Sequence, residues 1–211
     1  MILPTEKQCL DWFNEYKVPQ QVREHCLCVQ RVADFLAEKV QSQGVAVRTD
    51  LVNRMALLHD LFKVVSIKNL GPTEKYPDFN PTKEEIGVWK SLRKKYPGLH
   101  EGEVSYLIFK KDYPELALSL RKVSTPGIID RNWEEGIVHY ADWRVNHNRI
   151  VSLKERLDYL KKTYPKGTEF WQEDEKIIRE FENKLMGLIN IEAVKLADEI
   201  RNKEREIKNA R

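Results

Sequence analysis

The stretch QQVREHCLCVQRVADFLAEKVQSQ, residues 20–43, decides the fold class of this chain. Its apolar side chains recur at steps of three and four residues, the spacing of one face of an α-helix. Residues 50–63 repeat the same spacing. No hairpin dipeptide between alternating strands and no internal repeat is visible in the sequence. The pattern therefore predicts an all-α domain of about eight to ten helices.

Capping-box sequences mark three predicted helix starts. Thr5, Thr82 and Ser152 are each followed three positions later by Glu or Gln, as in helices whose first turn is closed by reciprocal hydrogen bonds. Prolines and glycines interrupt the chain over residues 64–81, which predicts a loop that is either a lid over a site or a passive connector.

The end of the chain has a helical pattern that is apolar first and highly charged later. We predict a domain at residues 1–165 and a C-terminal helical extension at residues 166–211, packed on the same domain. The extension could also meet a second copy, so a homodimer is left open.

Composition limits the classes of protein and partner. Hydrophobic residues make up 41% of the chain, enough for a core, so a disordered chain is not expected. The 36 basic and 33 acidic residues are interleaved and give a net charge of +3, weak support for a nucleic-acid surface. The three cysteines lack zinc-site spacing, and neither a signal peptide nor a membrane helix is expected. A reducing cytoplasm is the simplest expected compartment.

Candidate chemistry begins at ALLHDLFK, residues 56–63, where an apolar helix is predicted to end on an imidazole, a carboxylate and an ammonium. Buried groups of this kind cost stability unless something satisfies them. Metal-competent side chains are predicted to turn inward from three helices: His25, His59 with Asp60, and Asp142. Two imidazoles and two carboxylates suit Mn, Fe, Co, Ni or Zn better than Ca.

The order of these residues resembles that of the HD-domain metal-dependent phosphohydrolases, which have a His, then a His-Asp pair, then a distant Asp. The two histidines lie 34 positions apart, and Asp142 follows Asp60 by 82 positions. The resemblance covers roughly residues 20–160 and includes the flanking segments REHCLCVQRVADFL and IVHYADWRV. It implies an all-α fold with one or two metal ions that hydrolyses phosphate esters, often those of nucleotides.

The resemblance also implies a role for each matching position. The implied metal ligands are His25, His59, Asp60 and Asp142. Lys63 matches the members that have HD-x-x-K, where it would offset negative charge on the phosphate, while Asp60 would also accept a hydrogen bond from the attacking water. The expected cofactor is one divalent transition-metal ion, which would be Mn, Co, Fe, Ni or Zn.

Further positions concern the substrate. His100 falls where two-metal members have a third histidine, but no fourth histidine occurs near Val123, so we expect one ion with His100 lining the pocket or contacting phosphate. Arg144 matches a basic position of the family and is predicted to anchor phosphate through its planar guanidinium. Arg156 is expected to be a structural ion-pair residue in preference to a substrate contact, and His139 a surface histidine in preference to a partner of the Asp142 ligand.

The favoured function is hydrolysis of a phosphomonoester or phosphoanhydride, preferably of a nucleotide, without a membrane partner. Two alternatives stay open: an HD-fold binding or regulatory module with little turnover, and a phosphodiesterase acting on a cyclic nucleotide or RNA. Taken alone, His59 and Asp60 could be a hydrogen-bonded helix terminus, and Lys63 a cation that complements the helix dipole.

Overall fold

The computed structural model describes residues 2–72, 79–125, 130–164 and 167–209, and helices dominate these ranges. The α-helices are α1 (Glu6–Glu15), α2 (Gln20–Ser42), α3 (Thr49–Leu58), α4 (Lys83–Lys95), α5 (Glu101–Phe109), α6 (Pro114–Ser124), α7 (Trp133–Trp143), α8 (Leu153–Thr163), α9 (Thr168–Ile189) and α10 (Leu196–Asn209). Two short 3-10 helices, Lys63–Val65 and Ala193–Lys195, and a small antiparallel hairpin, β1 (Val145–Asn146) with β2 (Arg149–Ile150), complete the described elements. The all-α prediction is confirmed.

The predicted capping boxes at Thr5, Thr82 and Ser152 are all present and open α1, α4 and α8. In each, the cap side chain accepts a hydrogen bond from the third helical residue, whose own side chain accepts one from the cap backbone. A fourth box, formed by Asn132 and Glu135, opens α7. The pattern of a hydroxyl residue followed by Glu or Gln does not predict this fourth box, because its cap residue is an asparagine.

Helix α3 ends earlier than the predicted boundary at residue 63. His59 Nδ1 forms a hydrogen bond with the Ala56 carbonyl oxygen at 2.8 Å. In a continuing helix, that oxygen would accept the hydrogen bond from the backbone N–H of the next residue, Asp60. The following backbone bonds, Leu61 N–H to the Leu58 oxygen and Lys63 N–H to the Asp60 oxygen, span three residues instead of four. His59 and Asp60 therefore lie in a tight turn just after α3.

The core is centred on α2, which packs against both α3 and α7, while α3 and α7 also contact each other. Helices α5 and α6 form a second pair, and α6 contacts both α3 and α7. Because His25 lies on the buried face of α2, this packing brings it towards the end of α3 and the end of α7.

The C-terminal helices share this core. Trp171, Ile178 and Leu185 of α9 and Leu196 and Ile200 of α10 are buried in the same apolar cluster as the earlier helices. Helix α9 contacts α2 and α7, and α10 contacts α2. The predicted boundary after residue 165 lies outside the described residues. None of the helices in the described ranges has the length and apolarity needed to cross a membrane.

Candidate metal centre

Three of the predicted ligands meet in one buried group. His25 from α2, His59 from the turn after α3 and Asp142 from α7 each offer one ligand atom, and these atoms all lie within 4.8 Å of one another. The Asp142 Oδ1 atom is 2.9 Å from His25 Nε2 and 3.9 Å from His59 Nε2. Because the three residues come from separate elements, the packing of α2, α3 and α7 is what assembles the group.

The orientation of both imidazoles is fixed by backbone carbonyl groups. His25 Nδ1 is 2.8 Å from the His147 carbonyl oxygen, and His59 Nδ1 is 2.8 Å from the Ala56 carbonyl oxygen. A carbonyl oxygen can only accept, so each Nδ1 must carry the proton. When a ring carries no second proton, its Nε2 atom therefore presents a lone pair to the space between the rings and Asp142, as metal-binding histidines do.

These Nε2 atoms lack suitable hydrogen-bond partners within the protein. His25 Nε2 faces a carboxylate oxygen, so two acceptors meet unless the ring takes a second proton or a cation lies near them. His59 Nε2 is buried and has no hydrogen-bond partner among the described residues. Opposite ligands of one transition-metal ion are about 4.2 Å apart when the bonds are about 2.1 Å, so small side-chain movements would let this group hold such an ion. The donor set of nitrogen and oxygen also fits a transition metal.

Asp60 lies at the edge of this group. Its Oδ2 atom is 3.9 Å from His59 Nε2, and its Oδ1 atom is 3.3 Å from Lys63 Nζ. Burial acts to raise the pKa of Asp60, but the positive charge of Lys63 and the two imidazoles outweigh it and keep the pKa below its usual value. Asp60 is thus an ionised carboxylate next to the cluster, and its predicted role as a ligand stays a prediction.

The pKa of Asp142 is also lowered. Burial alone would raise it, but the contact with His25 and the guanidinium of Arg156 act in the opposite direction and prevail. Two ionised carboxylates therefore stand within reach of the same pair of imidazoles. Such a site favours a bound cation.

Lys63 is held between two carboxylates, one of which the sequence analysis missed. Its Nζ atom lies 2.6 Å from Glu101 Oε1 as well as near Asp60. Glu101 is only 2% exposed at its side chain and also accepts a hydrogen bond from Ser66. Burial acts to lower the pKa of Lys63, but the negative charges of Asp60 and Glu101 outweigh burial and raise the pKa above its usual value. The ammonium therefore stays charged. An acidic residue in the first turn of a helix is common, so Glu101 gave no signal in the sequence.

His100 caps the start of α5, accepting a hydrogen bond from the Gly102 N–H at 3.4 Å, and its Nε2 atom is 3.3 Å from Glu101 Oε2. Its side chain is half-exposed. It is thus linked to Lys63 through Glu101. Its predicted contact with substrate stays a prediction.

His139 is half-buried, in contrast to the expected surface histidine. Burial lowers the pKa of His139 to about 3, the nearby Arg131 adds to this effect, and a hydrogen bond to the Val123 backbone opposes it. The ring is therefore neutral inside the protein. Val123 marks the place where a fourth histidine was sought, and the next residue, Ser124, donates a hydrogen bond to the His59 carbonyl oxygen at 3.1 Å.

The predicted phosphate contact of Arg144 is wrong, because its guanidinium is buried on the opposite side of α7. Its nitrogens donate to the carbonyl oxygens of Val151 at 2.7 Å and Ala193 at 2.9 Å, and also to Tyr140 and Glu182. The side chain is 3% exposed. Arg144 therefore ties α7 to α9 and to the C-terminal 3-10 helix, and its four hydrogen bonds within the described residues use four of its five N–H donors.

Arg156 is the arginine that reaches the candidate centre. Its Nη2 atom lies 3.5 Å from Asp142 Oδ1, and its Nη1 atom donates to Asn146 Oδ1 at 3.3 Å. The expected ion pair exists, but its partner is a carboxylate of the site itself. The hairpin between α7 and α8 supports both sides of this contact, since Asn146 holds Arg156 while the carbonyl of His147 holds His25.

Comparison of the chain with protein-family models, curated proteins and solved structures gave no match. The resemblance to HD-domain enzymes therefore stays a prediction, which rests on the order of the ligands in the sequence. Of the loop predicted at residues 64–81, the segment 73–78 lies outside the described residues.

Proposed function

We propose that this chain is a metal-dependent phosphohydrolase of the HD-domain type. His25, His59 and Asp142 would hold one divalent transition-metal ion, with Asp60 completing the set. The observation that carries the proposal is the pair of Nε2 lone pairs directed at Asp142, one of which is buried without any hydrogen-bond partner. Most buried polar side-chain atoms in proteins have a hydrogen-bond partner, so an unpaired imidazole nitrogen beside a carboxylate favours a bound cation.

The chemistry that such an ion supplies when bound is polarisation of a phosphoryl oxygen and activation of water at neutral pH. The residues of the chain prepare the surroundings. Asp60 stays ionised beside Lys63 and can accept a hydrogen bond from water. Lys63 in turn is fixed by Glu101, so the carboxylate of Asp60 is held in place instead of rotating freely.

The charge of the pocket indicates an anionic substrate. Asp60, Asp142 and Glu101 carry three formal negative charges, and Lys63 and Arg156 carry two positive ones. With neutral imidazoles the sum is −1, and a divalent cation changes it to +1. A phosphate ester or anhydride would balance this charge. The resemblance to HD-domain enzymes favours a nucleotide as the substrate class.

The test is the substitution Asp142→Asn, which keeps the size of the side chain and removes its charge. We expect loss of bound metal, measured by elemental analysis, and a fall of hydrolysis to background across a panel of nucleotides, dinucleotides, cyclic nucleotides and a generic phosphate ester. Asp158→Asn on the exposed side of α8 is the matched control and should change neither quantity, because Asp158 is exposed and pairs with Lys154 in solvent.

Wild-type turnover in Asp142→Asn would contradict the proposed mechanism. A wild-type protein that holds one metal ion per chain but hydrolyses no member of the panel would instead support a binding or regulatory module.

A further inference from the structure

The two carboxylates beside the imidazoles are each backed by one cationic side chain, and the two cations are not equivalent. Lys63 contacts Asp60 at 3.3 Å and Glu101 at 2.6 Å, so two negative charges surround one positive charge. A phosphate group placed near this ammonium would also meet the two carboxylates. The positive charge of Lys63 is therefore already neutralised by carboxylates of the protein.

The positive charge of Arg156 is less completely neutralised than that of Lys63. Within the described part of the chain, its one anionic contact is the 3.5 Å approach to Asp142 Oδ1. This distance is longer than a good hydrogen bond, and the same oxygen also contacts His25. Its other contact is with the neutral amide of Asn146. Its Nε atom is buried, and no residue in the described ranges forms a hydrogen bond with it. A guanidinium has five N–H donors, so this side chain retains both charge and donor capacity.

Arg156 also stands beside the more open of the two carboxylates. The Asp142 side chain is 28% exposed and that of Asp60 is 16% exposed, while Lys63 at 32% is itself more exposed than Arg156 at 13%. A ligand that reaches Asp142 from solvent therefore meets Arg156 beside it. The capping box at Ser152 fixes the start of α8, and the guanidinium lies over the ring of Tyr159, 5.5 Å from its centroid. These contacts hold the cation in place before a ligand arrives.

We infer that Arg156 is the phosphate-binding residue of this site, and that Lys63 serves to hold Asp60. This inference rests on the proposed function and names its specificity-determining residue. The planar guanidinium would donate two parallel hydrogen bonds to a phosphate group that lies against Asp142. The ammonium of Lys63, which the sequence predicted as the phosphate contact, would act on the substrate only through the orientation of Asp60.

The experiment measures phosphate binding separately from metal binding. Inorganic phosphate is titrated into protein loaded with Mn²⁺, and Mn²⁺ affinity is measured in a parallel titration. Arg156→Gln should retain Mn²⁺ and lose phosphate affinity by about 10- to 100-fold, the range for a charge-assisted hydrogen bond. Arg156→Lys keeps the charge without the planar fork, so it should recover part of that loss.

Two further variants serve as controls. Arg149→Gln removes an exposed arginine from the adjacent hairpin and should leave both affinities unchanged, because Arg149 faces solvent. Lys63→Gln should weaken phosphate binding less than Arg156→Gln. Thermal unfolding of each variant in the absence of metal shows whether the fold is retained.

The inference is overturned if Arg156→Gln binds phosphate as well as wild type does. It is also overturned if this variant loses Mn²⁺ together with phosphate, since Arg156 would then act only by orienting Asp142. If the wild type takes up no Mn²⁺, the proposed function fails, and the phosphate titrations are compared on metal-free protein. Weaker binding by metal-free Arg156→Gln than by wild type would still support the role of Arg156, and no difference would refute it.

Discussion

Helix α7 buries charged side chains on two faces, and the two faces differ in how completely those charges are satisfied. On the face that packs against α9, Arg144 donates to Glu182, to Tyr140 and to two backbone carbonyl groups. Tyr140 in turn donates to Glu182 at 2.6 Å. On the other face, Asp142 meets an imidazole nitrogen that has no proton to donate when the ring is neutral, and His59 Nε2 has no partner.

Whether a buried charge is satisfied within the protein distinguishes a structural group of side chains from a candidate binding site. A buried charge costs several kcal/mol unless it is paired and hydrogen-bonded, so a network that is complete within the chain needs no ligand. The Arg144 network is complete. The network around Asp142 is incomplete within the described residues, because His59 Nε2 lacks a hydrogen-bond partner there, and a bound cation would supply one. A sequence cannot make this distinction, because both faces carry the same kinds of residue.

The largest effect is expected at the complete network. Arg144→Ala leaves Glu182 in the interior with Tyr140 as its remaining partner and should lower the free energy of unfolding by about 3–5 kcal/mol. Urea unfolding of the metal-free protein measures this change. Arg201→Ala, which removes an exposed ion pair with Asp198 on α10, is the control and should cost less than about 1 kcal/mol. Equal losses in the two variants would contradict the contrast between the faces.

The incomplete network predicts an effect of the ion itself. Mn²⁺ at 100 times its dissociation constant should raise the free energy of unfolding by about 2.7 kcal/mol, because only the folded chain brings the ligands together. Thermal unfolding with and without Mn²⁺ measures the shift. Arg144→Ala should show the same gain as wild type, whereas Asp142→Asn should show none. A gain in Asp142→Asn equal to that of wild type would show that the ion binds elsewhere.

The smallest effect tests how tightly the packed face is filled. A Cβ at Gly136 would lie 2.5 Å from Cε2 and 2.7 Å from Cζ of the Phe181 ring. Gly136→Ala should therefore lower the free energy of unfolding by about 1 kcal/mol, since the cost of overpacking exceeds the gain in helix propensity. Gly187→Ala in α9, where no atom lies within 4 Å, should stabilise the protein by a similar amount. Two changes of the same sign would argue against a tightly packed face.

Local signals in the sequence predicted the elements well. The apolar spacing of residues 20–43 matches α2 almost to its ends, and the boxes at Thr5, Thr82 and Ser152 each open a helix. The predicted end of α3 was wrong because the side chain of His59 competes with the backbone N–H groups for the Ala56 carbonyl oxygen. Such competition depends on one rotamer, which periodicity does not report.

The arginines show where prediction from sequence stops. Arg144 is two positions after Asp142, and a spacing of two along a helix points the side chains in different directions. Arg156 comes into contact because the chain turns back through the hairpin Val145–Ile150 and places α8 beside the end of α7. Glu101 reaches Lys63 from another helix in the same way.

By itself, the sequence determined that the chain is helical, where several of its helices begin, and which side chains are chemically able to bind a cation, since these properties depend on residue type and spacing within a few turns. The tertiary structure alone decided which of those side chains meet. It also decided that the guanidinium of Arg144 is buried in hydrogen bonds between helices, and that Arg156 and Glu101 flank the candidate centre. The physical reason is distance along the chain: contacts between elements depend on how whole helices pack, and no local pattern encodes which side chain faces a residue more than a hundred positions away.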